Sequence, residues 1–249
     1  MNINYIKFGK GSKTMVILPG VALKSVLLNK EAIINAYKLF EDEFTTYLFE
    51  VRDDIPEGCD TAMMADDLVS RFAELGLKHV YLYGVSLGGM IGQMILWRHP
   101  QYLNKMVICS SAGDFEDKTN FYNWLDLAER KDIRGLVDDF CKKVYSDEFY
   151  TANIEVLQQY FADTSDEELN KFIKCLKAVY AHDVSGIVNE TGVPIKQFGS
   201  KTDRIFHYED MLKLAKQLKA ETYFYEDGSH AIYDEKADIK ERIKEFFIR

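Results

Sequence analysis

Apolar positions along the chain follow two regimes. Up to about Cys109, and again from Pro194, short runs of β-forming residues alternate with stretches in which apolar side chains recur every three to four residues. Thr14–Leu18 (TMVIL), Thr45–Phe49 (TTYLF), Val80–Tyr83 (VYLY) and Lys105–Cys109 (KMVIC) predict strands. Lys30–Phe40, Thr61–Leu75 and Leu87–Trp97 predict helices; in Thr61–Leu75 the residues Met64, Leu68, Phe72 and Leu75 share one face. Ile3–Phe8 alternates apolar and polar residues and runs into Gly9-Lys10-Gly11-Ser12, which predicts the start of a hairpin. The last third predicts strands at Pro194–Phe198 and Thr222–Tyr225 and helices at Tyr208–Leu218 and Asp238–Phe247. Strands alternating with helices make βαβ units, and so an α/β fold with a mostly parallel sheet.

From Asp114 to Asn189 strand signals disappear. Four helical stretches replace them: Asn120–Arg130, Ile133–Val144, Thr151–Ala162 and Asp166–His182. A helical block spliced into an α/β pattern reads as a cap over the sheet. The expected division is a core of 1–113 and 190–249, with a cap of 114–189 inserted in it. Most cap aromatics at helical spacing, among them Phe115, Phe121, Trp124, Tyr145 and Phe149, are expected to pack the cap on itself, and the rest to line an apolar pocket. Its charged positions, including Asp138, Asp139, Lys142 and Lys143, read as a solvated face.

Composition narrows the class. The chain of 249 residues is 47% hydrophobic and 29% charged, a globular balance. With 31 Lys and Arg against 40 Asp and Glu, its net charge of −9 disfavours a general nucleic-acid binder. Cys59, Cys109, Cys141 and Cys175 occupy no metal-ligand or redox spacing and are expected to be free thiols. The N-terminal MNINYIKFGKGSK lacks the pattern of a signal peptide, and the run from Met15 to Leu23 is broken by Pro19-Gly20. These features predict a soluble, cytoplasmic protein without a membrane partner.

The strongest chemical signal is Gly84-Val85-Ser86-Leu87-Gly88-Gly89, between a predicted strand and a predicted helix. G-x-S-x-G at that junction folds as a tight turn that projects a serine at the carboxyl end of a strand, with the N–H of Leu87 at a helix N-terminus. A serine hydroxyl needs a base. Of His79, His99, His182, His207 and His230, only His230 directly follows a predicted strand, in Asp227-Gly228-Ser229-His230. Loops at the carboxyl ends of parallel strands are where such sheets build sites. An orienting carboxylate is offered by Asp203, in Gly199-Ser200-Lys201-Thr202-Asp203 after another strand; Asp114 and Asp227 are rivals.

Leu18-Pro19-Gly20, Gly84–Gly89, Gly199–Asp203 and Asp227–His230 together resemble the α/β-hydrolase fold superfamily. The resemblance implies Ser86 as nucleophile, His230 as general base and acid, Asp203 as orienting acid, and an oxyanion hole from the backbone N–H groups of Val21 and Leu87. It implies no metal or organic cofactor. Many members carry His-Gly where this chain has Pro19-Gly20; the donor is a backbone N–H, so Val21 can still serve. The expected activity is serine hydrolysis of a small or medium carboxylic ester, lactone or thioester, a small-molecule acyl substrate. C–C bond hydrolysis or lyase chemistry on the same residues is the alternative, and a non-catalytic small-molecule receptor a third reading.

Overall fold

The computed structural model describes residues 2–249; Met1, included in the sequence-based core boundary, lies outside them. Strands β1 (Tyr5–Gly9), β2 (Lys13–Leu18), β3 (Phe44–Phe49), β4 (Val80–Val85), β5 (Leu103–Cys109), β6 (Ile195–Ser200) and β7 (Glu221–Tyr225) form one sheet. Their spatial order is β1-β3-β2-β4-β5-β6-β7, and every pair is parallel except β1 with β3.

The side-chain period of two splits the strands between two cores. Val16, Leu18, Leu82, Met106 and Ile108 face one side. There they meet Met64 and Leu68 of helix α2 (Thr61–Glu74), Met90 and Ile91 of α3 (Leu87–Arg98), and Met211 and Leu214 of α8 (Tyr208–Leu218). Met15, Ile17, Tyr83, Val85, Val107 and Cys109 face the other, against Phe40 and against Ile239, Ile243 and Phe247 of the C-terminal helix α9 (Ile239–Ile248). Every residue of α3 from Leu87 to Leu96 is buried, which matches a sequence apolar on all sides.

The expected hairpin does not form. β1 pairs with β3 in the register Tyr5↔Phe49, and β3 stands between β1 and β2. The turn glycines explain this. A Cβ on Gly9 would overlap the Phe44 carbonyl oxygen, and one on Gly11 would overlap the backbone of Glu43. Their bare backbones admit the start of β3 into the turn, where the N–H groups of Lys10 and Lys13 donate to the carbonyls of Glu41 and Glu43. The predicted helix Lys30–Phe40 is also divided, into α1 (Lys30–Ala36) and a 3₁₀ turn over Lys38–Phe40.

Four helices, α4 (Thr119–Glu129), α5 (Ile133–Val144), α6 (Asp147–Phe161) and α7 (Asp166–Ala181), are inserted between β5 and β6 as a cap. A chain of rings joins α4, α5 and α7, from Phe121 to Trp124 (5.2 Å between centroids), Phe140 (4.9 Å) and Phe172 (5.7 Å). α6 begins four residues before the predicted Thr151, because Ser146 caps it by accepting from the Phe149 N–H, with Asp147 and Glu148 in the first turn. Asp138 and Asp139 are half-buried and not part of a solvated face: Tyr150 donates to Asp138 (2.8 Å) and the Trp124 indole to Asp139 (2.9 Å). The four cysteines are free and buried. No helix among the described residues is long and apolar enough to cross a membrane.

Candidate active site

The parallel strands end together, so the loops after β2, β4, β6 and β7 converge. Ser86 follows β4 at φ 50°, ψ −115°. That conformation is unfavourable for a side chain with a Cβ, and a strained residue at a strand-to-helix junction is a mark of a functional position. The turn around it admits only glycine at two points. A Cβ on Gly84 would overlap the Gly88 carbonyl, and one on Gly88 the Leu18 carbonyl. Gly20, after β2, lies so close that its Cβ would be 3.2 Å from the Ser86 Cβ.

His230 and Asp203 meet at the ends of β7 and β6. The His230 Nδ1 is 2.9 Å from Asp203 Oδ2 and 3.2 Å from Oδ1. The carboxylate also accepts the backbone N–H groups of Ile205 (2.8 Å) and Phe206 (3.1 Å). A carboxylate oxygen accepts, so Nδ1 is the donor to Asp203, and in the neutral tautomer of such a ring Nε2 is the nitrogen with the free lone pair. The two loops are tied directly: Ser200 and Thr202 hydroxyls both donate to the Gly228 carbonyl at 2.9 Å.

Ser86 and His230 line one cavity of about 80 Å³, under Phe121, Trp124, Tyr145 and Val179 of the cap region and beside Gly20 and Val21. Of the aromatic residues in the cap segment, Phe121, Trp124 and Tyr145 thus border it, while Tyr122 and Tyr160 are exposed. Among the described residues no hydrogen bond joins Ser86 Oγ to His230. The N–H groups of Val21 and Leu87 donate to no protein group among the described residues, which leaves both available to a ligand. A second cavity of about 240 Å³ lies past the same Gly20–Val21 loop, lined by Leu23, Leu68, Leu87 and Ile91 and edged by Glu50 and Lys171.

The rival residues are engaged elsewhere. His99 bonds Asp66 at 2.7 Å, His79 is exposed before β4, and His207 is an exposed helix cap 3.6 Å from Asp117. Asp114 pairs with Lys213 at 2.6 Å, and exposed Asp227 with Lys236 at 3.1 Å. His182 is buried between the Thr61 hydroxyl (2.8 Å) and Gln93 Oε1 (3.2 Å), and burial pushes its pKa down to about 4. Sequence reading missed Ser110 and Ser111, fully buried at the end of β5 and bonded to the carbonyls of His230 and Ser86. Their position directly after a strand was the available signal.

Residues 13–147, more than half the chain, match the family model described as alpha/beta hydrolase fold. The "Putative carbamate hydrolase RutD" of Rhizobium rhizogenes is 25% identical over 184 residues, covering 72% of this chain and 70% of that protein. The 3-oxoadipate enol-lactonase 2 of Acinetobacter baylyi is 17% identical over 233 residues, covering 92% of this chain and 86% of that protein. Among solved structures, MGS-M2, an alpha/beta hydrolase enzyme from a Medee basin deep-sea metagenome library, superposes with a TM-score of 0.88 at 20% identity, covering 99% of this chain and 94% of that one. With its sheet order, its glycine-bounded turn at Ser86 and a family match over residues 13–147, this chain belongs to the alpha/beta hydrolase fold family.

Proposed function

We propose that the protein is a serine hydrolase that cleaves a small or medium carboxylic ester, lactone or thioester. The supporting observation is the convergence of strained Ser86, His230 with its buried partner Asp203, and Val21 on one cavity, with the unengaged N–H groups of Val21 and of Leu87, the residue after Ser86. Ser86 Oγ attacks the acyl carbonyl while His230 Nε2 takes its proton. The carbonyl oxygen gains negative charge and is held by the N–H groups of Val21 and Leu87, each such donor typically lowering the barrier by ~3 kcal/mol. Collapse expels the leaving group, which His230 protonates, and leaves an acyl-serine. A water deprotonated by His230 then releases the acid. Asp203 keeps the imidazole in the tautomer both steps require and stabilises its charged form.

Gly20 and Val21 border both cavities, so a carbonyl seated at the Val21 N–H would send one substituent into each. The apolar walls favour hydrocarbon on both sides. A lactonase and a hydrolase of a carbamate, both acyl-transfer chemistries, are among the relatives, and an acyl substrate fits that company.

The test is turnover of p-nitrophenyl acetate and butyrate, lactones and β-diketones by wild type and Ser86→Ala, with fluorophosphonate labelling of the serine. Ester or lactone turnover that Ser86→Ala abolishes supports the reading. A wild type inert to the probe sinks it, and cleavage of β-diketones alone would move it to C–C bond chemistry.

A further inference from the structure

Two adjacent serines at the end of β5 each reach one half of the site. Ser111 Oγ donates to the Ser86 carbonyl at 2.9 Å, and Ser110 Oγ donates to the His230 carbonyl at 2.7 Å. Both residues are 0% exposed. Ser110 has φ 48°, an unfavourable value for a residue with a Cβ. Strain of this kind persists only where surroundings over-determine it. Here they do. The Ser110 N–H is bonded to the Phe198 carbonyl at 2.9 Å, Gln197 Nε2 donates to the Ser111 carbonyl at 3.2 Å, and Gln93 Nε2 donates to the Ala112 carbonyl at 3.1 Å.

The two arms differ in what they satisfy. The Ser86 carbonyl already accepts the N–H groups of Gly89 (2.9 Å) and Met90 (3.1 Å). It needs no third donor for its own sake, so the Ser111 hydroxyl acts on direction and not on satisfaction. The His230 carbonyl has the Ser110 hydroxyl as its only protein donor among the described residues.

We propose that Ser110 and Ser111 are positioning residues that fix the spacing between Ser86 and His230, one hydroxyl on each. The proposal rests on the reading of Ser86 and His230 as the reacting pair. A serine and base held apart by less than an ångström too much or too little lose much of their rate while binding substrate as before.

The experiment measures, for wild type, Ser111→Ala and Ser110→Ala, the fraction of sites titrated by a fluorophosphonate, then kcat and KM per titrated site with p-nitrophenyl butyrate. Ser111→Ala keeps both helix donors to the Ser86 carbonyl and so tests one arm in a folded protein. Expected are a fall in kcat of about 10- to 100-fold per titrated site and a KM within about threefold of wild type. A purely structural role would lower melting temperature and titrated fraction and leave kcat per site unchanged. That result for both variants, with a reactive wild type, overturns the bracket alone. A wild type that the probe does not label overturns the reading beneath it as well.

Discussion

His230 Nδ1 lies 2.9 Å from Asp203 Oδ2, with the two side chains only 4% and 0% exposed. The residues come from different loops 27 positions apart, and each loop is held to the other through Gly228. The buried carboxylate accepts two backbone N–H groups beside the imidazole Nδ1–H, so none of these donors is left without a partner. Asp203→Asn would keep one acceptor for those N–H groups and present an amide N–H to the ring. The imidazole then takes the tautomer with Nε2 protonated, and kcat is expected to fall by about 10⁴-fold with folding retained. Steady-state kinetics beside a melting curve checks this, and a fall of less than tenfold would remove Asp203 from the site.

Gly88→Ala is expected to destabilise the protein by about 3 kcal/mol or more, because the new Cβ meets the Leu18 backbone, which has no room to yield in the centre of the sheet. Gly76→Ala is the control. Gly76 has φ 68° and open space around it, so only the backbone penalty of about 1 kcal/mol applies. Urea unfolding of the two variants separates steric overlap from conformational strain.

Stability should fall on acidification partly through His182. Its imidazole is buried as the neutral ring, and its pKa is pushed down from 6.5 to about 4. The unfolded chain therefore binds a proton that the folded one refuses, and stability is lost as pH drops from 6.5 toward 4, by about 3 kcal/mol in all. His182→Gln has no such proton. The difference in unfolding free energy between wild type and this variant should shrink steadily across that window and level off below it.

Glu235 joins the cap to the loop that carries His230. Its carboxylate accepts the Ser146 N–H and hydroxyl, both at 3.0 Å, and the Ser229 hydroxyl at 2.6 Å. Glu235→Ala strands the two donors of half-buried Ser146 and the hydroxyl of buried Ser229, and is expected to cost about 2 kcal/mol. Hydrogen exchange should accelerate first at the start of α6, where Ser146 serves as cap; uniform acceleration across the sheet would contradict a local latch.

Much of the molecule could be read from side-chain order alone, for identifiable reasons. Strands such as Thr14–Leu18 and the elbow at Ser86 are set by local rules of period and sterics that act within a few residues. The meeting of Asp203 with His230 was legible because both follow strands, and parallel strands bring their ends together. The misassigned hairpin failed on a contact that no local pattern contains: Gly9 and Gly11 make space for a segment more than thirty positions away. Asp139 looked like surface charge because its partner, the Trp124 indole, belongs to another helix. Gln93, a lone amide in the apolar stretch Met90–Trp97, was the hint of a buried polar network that composition-based reading passes over.

The splicing of the cap between β5 and β6 also shapes how the protein is made. A chain emerging from the ribosome completes Ser86 and its strand early, then extends through four cap helices before β6 and β7 exist. Until they arrive, β5 presents an unpaired edge and Ser86 has neither His230 nor Asp203 nearby. Assembly of the Ser86, His230 and Asp203 cluster therefore coincides with closure of the sheet edge that would otherwise invite aggregation.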